Sequence, residues 1–120
     1  NKMAKNLDQR KKFGALGEDL AASELERRGF RILERNYRKS TGEIDIIAQK
    51  KDVIYFVEVK AKHKTDFSPP ADSVTPLKRR HIAATASIWF AAHGESPSGF
   101  IVAEVDLQKR SVLLIDDFLL

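Results

Sequence analysis

A chain of 120 residues with 42% hydrophobic and 32% charged content reads as one globular domain, residues 1–120, long enough to bury its own core. The absence of cysteine excludes disulfides and thiolate metal centres, and no apolar run is long enough for a membrane-spanning helix. With 21 basic and 17 acidic residues the net charge is only +4, so any preference for a polyanion must come from where the charges sit.

Residues 1–10 are expected to form a partly ordered extension. Asp8 to Arg28 is predicted as a helix stopped by Gly29, because Phe13, Leu16, Leu20, Ala21 and Leu25 recur on one broad side. Glu18 falls at the edge of that side and Glu24 nearer its middle. Either carboxylate could reach the rim of the core, and the ordinary outcome for both is a solvated surface position. Phe30 to Arg38 is predicted as a strand, and Lys39 to Gly42 as a turn.

The next two strands hold the most informative residues. Gly42–Ala48 and Val53–Lys60 are predicted to form an antiparallel hairpin across the polar Gln49–Asp52 connection. Placing Ala48 opposite Val53 sets Asp45 opposite Phe56 and Glu43 opposite Glu58. Asp45, Glu58 and Lys60 then share one face. Ile44, Ile46, Ala48, Val53, Tyr55, Val57 and Val59 make the other face almost wholly apolar. Charges set in apolar strands are costly unless they are paired or bind a metal. Two carboxylates beside an ammonium suit a hard cation, Mg²⁺ or Mn²⁺. Such an ion activates water and neutralises phosphoryl charge, while a neighbouring lysine orients the water. The plain alternative is a salt bridge between Lys60 and one acid.

Ala61 to Ser73 is predicted as a basic, proline-containing loop. A second helix follows, with Thr75 as N-cap, Pro76 at its first position, its end near Ala92 and Gly94 beyond. Ile82, Ala86, Trp89 and Phe90 form its buried side. Phe100–Leu107 and Val112–Ile115 are predicted as strands. The sum is an α/β domain with a mixed five-stranded sheet flanked by helices. Most Lys and Arg clusters lie between residues 27 and 81, whereas Asp106, Asp116 and Asp117 lie near the end. One basic cluster is ordinarily a solvated face; several flanking one acidic site favour nucleic acid. His63, His81 and His93 lack zinc-site spacing.

Asp, then Glu-x-Lys on the adjoining strand, is the signature of the PD-(D/E)XK nucleases. The wider pattern resembles the YraN-type family of uncharacterised bacterial proteins. It includes Gly17-Glu18, Ala21, Leu25, Gly29–Leu33, Asn36–Arg38, Gly42–Asp45, Phe56–Lys60 and Lys78. That family is similar to Holliday-junction resolvases, and the resemblance implies a restriction-endonuclease-like fold. Departures are Lys62 where the family usually has arginine, a loop over 66–70 without glycine, and Ile101–Asp106 without the usual Arg-Phe-Asp.

The resemblance favours Glu18 over Glu24. It implies that Asp45, Glu58 and Glu18 hold Mg²⁺ or Mn²⁺, and that Glu18, Asp45, Glu58 and Lys60 form the catalytic set. Arg38, Lys62, Lys64, Lys78 and Arg79 are expected to contact nucleic acid. The function expected is a metal-dependent nuclease hydrolysing phosphodiester bonds in DNA, branched or repair intermediates included. The alternatives are a non-catalytic nucleic-acid-binding module and a structural domain with a salt-bridge cluster. A cytoplasmic location without membrane contact is expected, and a homodimer is left open. On this reading the acids repel one another, so Glu58→Gln is expected to leave the metal-free protein equally or slightly more stable.

Overall fold

The computed structural model describes residues 2–63 and 74–119. It contains α1 (Lys2–Arg27), β1 (Arg31–Lys39), β2 (Gly42–Lys50), β3 (Val53–Lys62), α2 (Pro76–His93), β4 (Ser98–Asp106) and β5 (Ser111–Asp117). The strands form one sheet in the order β1-β2-β3-β4-β5. All neighbours are antiparallel except β3 and β4. The exception follows from connectivity. Short turns join antiparallel strands, whereas a parallel pair needs a crossover, and α2 lies in the segment between β3 and β4. The result is an α/β architecture consistent with a restriction-endonuclease-like fold.

Each helix covers one face of the sheet. Ala21 and Leu25 of α1 pack with Ile46, Ala48, Val57, Ala103 and Val105. Ile82, Ala86 and Trp89 of α2 pack with Ile44, Ile47, Phe56, Phe100 and Val102 on the opposite face. The punctuation read from sequence sets the ends of α2. The Thr75 side chain accepts a hydrogen bond from Lys78 N–H, Pro76 opens the helix, and Gly94 N–H donates to Phe90 O. Gly29, with φ 91, turns the chain out of α1. α1 begins at Lys2, six residues earlier than the apolar stripe alone marks.

The hairpin register corrects the sequence expectation. Lys50 pairs with Val53 and Ala48 with Tyr55, leaving Lys51-Asp52 as the turn and Lys51 at φ 55. Polar Gln49 and Lys50 continue the ladder because pairing uses backbone groups, whatever the side chain. A slip of two residues keeps every side chain on its face. The consequence is that Asp45 adjoins Glu58 instead of Phe56.

A second correction concerns Ile44. It packs on the α2 side with Ile47, while Ile46 and Ala48 pack on the α1 side. Strict alternation would join Ile44 to Ile46, so β2 changes face at Asp45. The neighbouring strand bends at the same level. Arg35 pairs with Ile46 and Tyr37 with Ile44, leaving Asn36 beside Asp45. Asn36 has φ 54, a left-handed conformation that asparagine tolerates better than most residues. The β2–β3 ladder ends at Ile46↔Val57, and Asp45 and Glu58 are the next residue on each strand.

Candidate functional site

At the end of that ladder lies a cavity of about 510 Å³, lined by Glu18 of α1, Asp45 of β2, Glu58 and Lys60 of β3, and Lys78 of α2. Both helices and both central strands therefore contribute. The close seat of α1 depends on Gly17, where an added Cβ would stand 2.6 Å from Ala61 Cβ. Only a glycine lets the helix approach β3 closely enough to bring Glu18 to the acids.

The three carboxylates sit in different electrostatic environments. Asp45 Oδ2 accepts a hydrogen bond from Val59 N–H at 2.7 Å. Burial, and then the charge of Glu58, nevertheless push the Asp45 carboxyl up to about 7, with Glu18 and Glu43 adding to the effect. Glu18 is also raised, first by burial and then by Glu43 and Asp19, against the opposing pull of Arg35 and a hydrogen bond from Asn36. Its Oε1 is buried without a hydrogen-bond partner. Glu58, only 5% exposed, is instead neutralised. Its Oε1 lies 2.5 Å from Lys78 Nζ and 3.7 Å from Lys60 Nζ.

The lysines differ in turn. Burial lowers Lys60, helped by the positive charge of Lys78. Burial works against the charge of Lys78 too, but its contact with Glu58 outweighs this and raises it. The contact with Lys78 weighs against the expectation for Glu58→Gln, although Glu58 does repel Asp45. Glu58 is the acid that the lysines satisfy, and its loss would leave Lys78 without its nearest counter-charge. Asp45 is the strained acid.

The residues fit a hard divalent cation. The donor set is all oxygen, one buried carboxylate oxygen has no partner, and a second acid resists ionising beside its neighbours. A cation would relieve both. Among the described residues no group of three His, Asp or Glu side chains is spaced to hold an ion as it stands, so the acids would have to draw together around one. Lys78 Nζ sits on one oxygen of Glu58, Oε1, and would compete with an ion for that carboxylate.

The other predicted residues divide. Arg38, largely exposed, bridges to Glu43 at 3.1 Å. Lys62 pairs with Glu104 of β4 at 3.0 Å. Lys64 lies outside the described residues. Arg79 does not join the site. Its guanidinium bonds Asp117 at 2.7 Å, Val74 O and Phe118 O, and lies over Phe100, so it ties α2 to the chain beyond β5. Glu24 does not join it either. Hydrogen bonds from Arg27 and then Arg28 hold its carboxyl down at about 2. Sequence reasoning missed Asn36 and the charge contribution of Glu43. Gly17 was a readable signal, because a glycine inside a helix costs about 1 kcal/mol relative to alanine and points to close packing.

Comparison with known proteins follows the same outline. The family described as "Uncharacterised protein family UPF0102" matches residues 17–113, which contain every acid of the cavity. A UPF0102 protein of Dictyoglomus turgidum is 49% identical over 79 residues, 66% of this chain and 67% of its own length. One from Dictyoglomus thermophilum is 46% identical over 81 residues, 68% of this chain and 69% of its own. One from Streptomyces griseus is 40% identical over 93 residues, 78% of each. On the extent of these matches, the chain belongs to the UPF0102 family.

Proposed function

We propose that this protein is a Mg²⁺- or Mn²⁺-dependent nuclease that hydrolyses phosphodiester bonds in DNA. The observation that carries the reading is the convergence of Glu18, Asp45 and Glu58 with Lys60 in one cavity at the fork of two strands. Glu18, Asp45 and Glu58 would hold the ion. When bound, it supplies an activated water and neutralises charge at the phosphoryl group. Lys60, beside Glu58 and lowered by burial, orients the water. Lys78, released from Glu58, offers its ammonium to a phosphate oxygen. Arg38 and Lys62 extend the basic surface along the strands. Hydrolysis adds water across one P–O bond, and the departing oxygen takes a proton. No helix among the described residues is long and apolar enough to cross a membrane. We place the protein in the cytoplasm, in keeping with its lack of cysteine.

A second reading has an observation of its own. Lys78 neutralises Glu58 with its own ammonium, as a nucleic-acid-binding module without turnover would allow. One assay separates the two. Purified protein is incubated with branched, flapped and linear DNA in Mn²⁺ or chelator, with Asp45→Asn as control. Metal-dependent cutting that the control loses supports the nuclease. Binding without cutting by the wild type supports the module. Neither binding nor cutting would end both.

A further inference from the structure

The two edges of the sheet are built differently. β1 is defended against pairing. It carries Arg31, Glu34, Arg35, Arg38 and Lys39, its register shifts between Ile32 and Glu34, and Asn36 bends it out of line. β5 is less defended: its register is unbroken and its charges, Asp116 and Asp117, lie only at its end. Ser111–Ile115 is free of charge, and its ladder with β4 runs unbroken from Asp106↔Ser111 to Phe100↔Asp117. Among the described residues no strand pairs with its outer side. Leu113, at the middle of that uncharged stretch, is 55% exposed, and Phe118, just past the end of β5, is 83% exposed. A regular edge whose first five residues are uncharged is a template for another strand.

We propose that this edge joins two copies of the chain, β5 against β5 and antiparallel, about a two-fold axis through Leu113. The register follows from charge. Directly opposed residues on paired antiparallel edges have the same parity, so the axis must pass through a residue. Through Leu113, each residue faces the one equally far on the other side. Val112 then meets Leu114, and the side chain of Arg110, in the turn just before β5, comes beside Asp116 twice, once on each side of the axis. Both charged residues are exposed in the single chain. Moving the axis to Leu114 would set Asp116 against Val112 and Arg110 against Phe118. Moving it to Val112 would set Arg110 against Leu114. Only the Leu113 register pairs opposite charges and brings the exposed leucines together. One paired strand on each side makes a small interface, so the association is of the weak, concentration-dependent class found below ~1,200 Å² of buried surface. The inference is independent of the chemistry proposed for the acidic cavity.

The natural lack of cysteine makes the test direct. A residue on the axis faces its own copy with Cβ atoms ~4.5–5.5 Å apart, close enough for a disulfide after a small adjustment. Under mild oxidation, Leu113→Cys should form a covalent dimer much faster than Ile115→Cys, which would face Ser111. In sedimentation, the wild type should shift from monomer toward dimer with concentration. Arg110→Asp and Asp116→Arg should each weaken association about tenfold or more, because the symmetry places each repulsion twice, and the double variant should restore it. A wild type that stays monomeric overturns the proposal. So does Leu113→Cys cross-linking no faster than Ile115→Cys, or association that ignores the single reversals.

Discussion

Replacing Asp45 by asparagine should stabilise the metal-free protein, and the gain should depend on pH. The carboxyl is held up to about 7 in the folded protein, against an ordinary value of 3.8. Between those limits the folded state keeps a proton that the unfolded state releases. Stability therefore falls as pH rises from about 4 to about 7, and by pH 7.5 the loss reaches about 4 kcal/mol. That is an upper figure, since Glu58 shares the strain. Asparagine removes the charge and keeps an oxygen to accept the Val59 N–H. Urea unfolding in chelator should show the variant and wild type nearly equal at pH 4 and the variant ahead by up to about 4 kcal/mol at pH 7.5. Excess Mn²⁺ should then narrow the gap, because only the wild type gains binding energy, about 2.7 kcal/mol at a hundred times Kd. A variant less stable than wild type at pH 7.5, or a gap that does not change with pH, would refute the account of Asp45 as a strained acid.

Glu58→Gln should behave in the opposite sense, losing about 1–2 kcal/mol in chelator by thermal melt. Lys78 can swing into solvent, so the loss falls short of that for a fully buried pair. Gly17→Ala should lower stability by about 1–2 kcal/mol despite alanine's better helix propensity, because its Cβ meets Ala61. It should also weaken Mn²⁺ binding by shifting Glu18, which calorimetric titration would read. Duplex DNA binding should weaken with salt at a log–log slope of about −0.9 for each phosphate contact. Arg38→Ala should reduce that slope by about one contact, whereas Arg79→Ala should leave it unchanged and lower the melting temperature, since its bonds go to Asp117 and the chain beyond.

Asp45, Glu58 and Lys60 were legible because charges inside apolar strands need a reason, and Thr75-Pro76 and Gly94 were legible because capping is local chemistry. The rest needed tertiary contacts. Gln49 and Lys50 look like loop yet pair, because a ladder bonds the backbone and ignores polarity. Asn36 looks like one more alternating strand residue. Its left-handed turn shows only when its neighbours pair with Ile44 and Ile46. Glu24 lies nearer the apolar stripe than Glu18 does, yet arginines three and four residues on claim it. A helical wheel gives the angle of a side chain and not what waits there. Lys78 could be assigned to phosphate from its basic neighbours, but its seat on Glu58 depends on how α2 docks.

These departures are connected. Asp45 and Asn36 sit side by side where β2 and β1 both leave regular geometry, and the β2–β3 ladder stops at the same level. A regular three-strand ladder would direct Asp45 to one face only, out of reach of either Glu18 on the α1 side or Glu58 beside α2. The irregularity lets one carboxylate feel acids from both helical layers, which is why burial and like charge act on it together. The backbone bends at Asn36 and Asp45 are thus what assembles the acidic cavity. A substitution at Asn36 by a β-branched residue, which resists φ 54, should scatter the acids before it unfolds the sheet. Loss of Mn²⁺ binding with the melting temperature nearly kept would support that order of events. Retained binding would show that the bend is incidental.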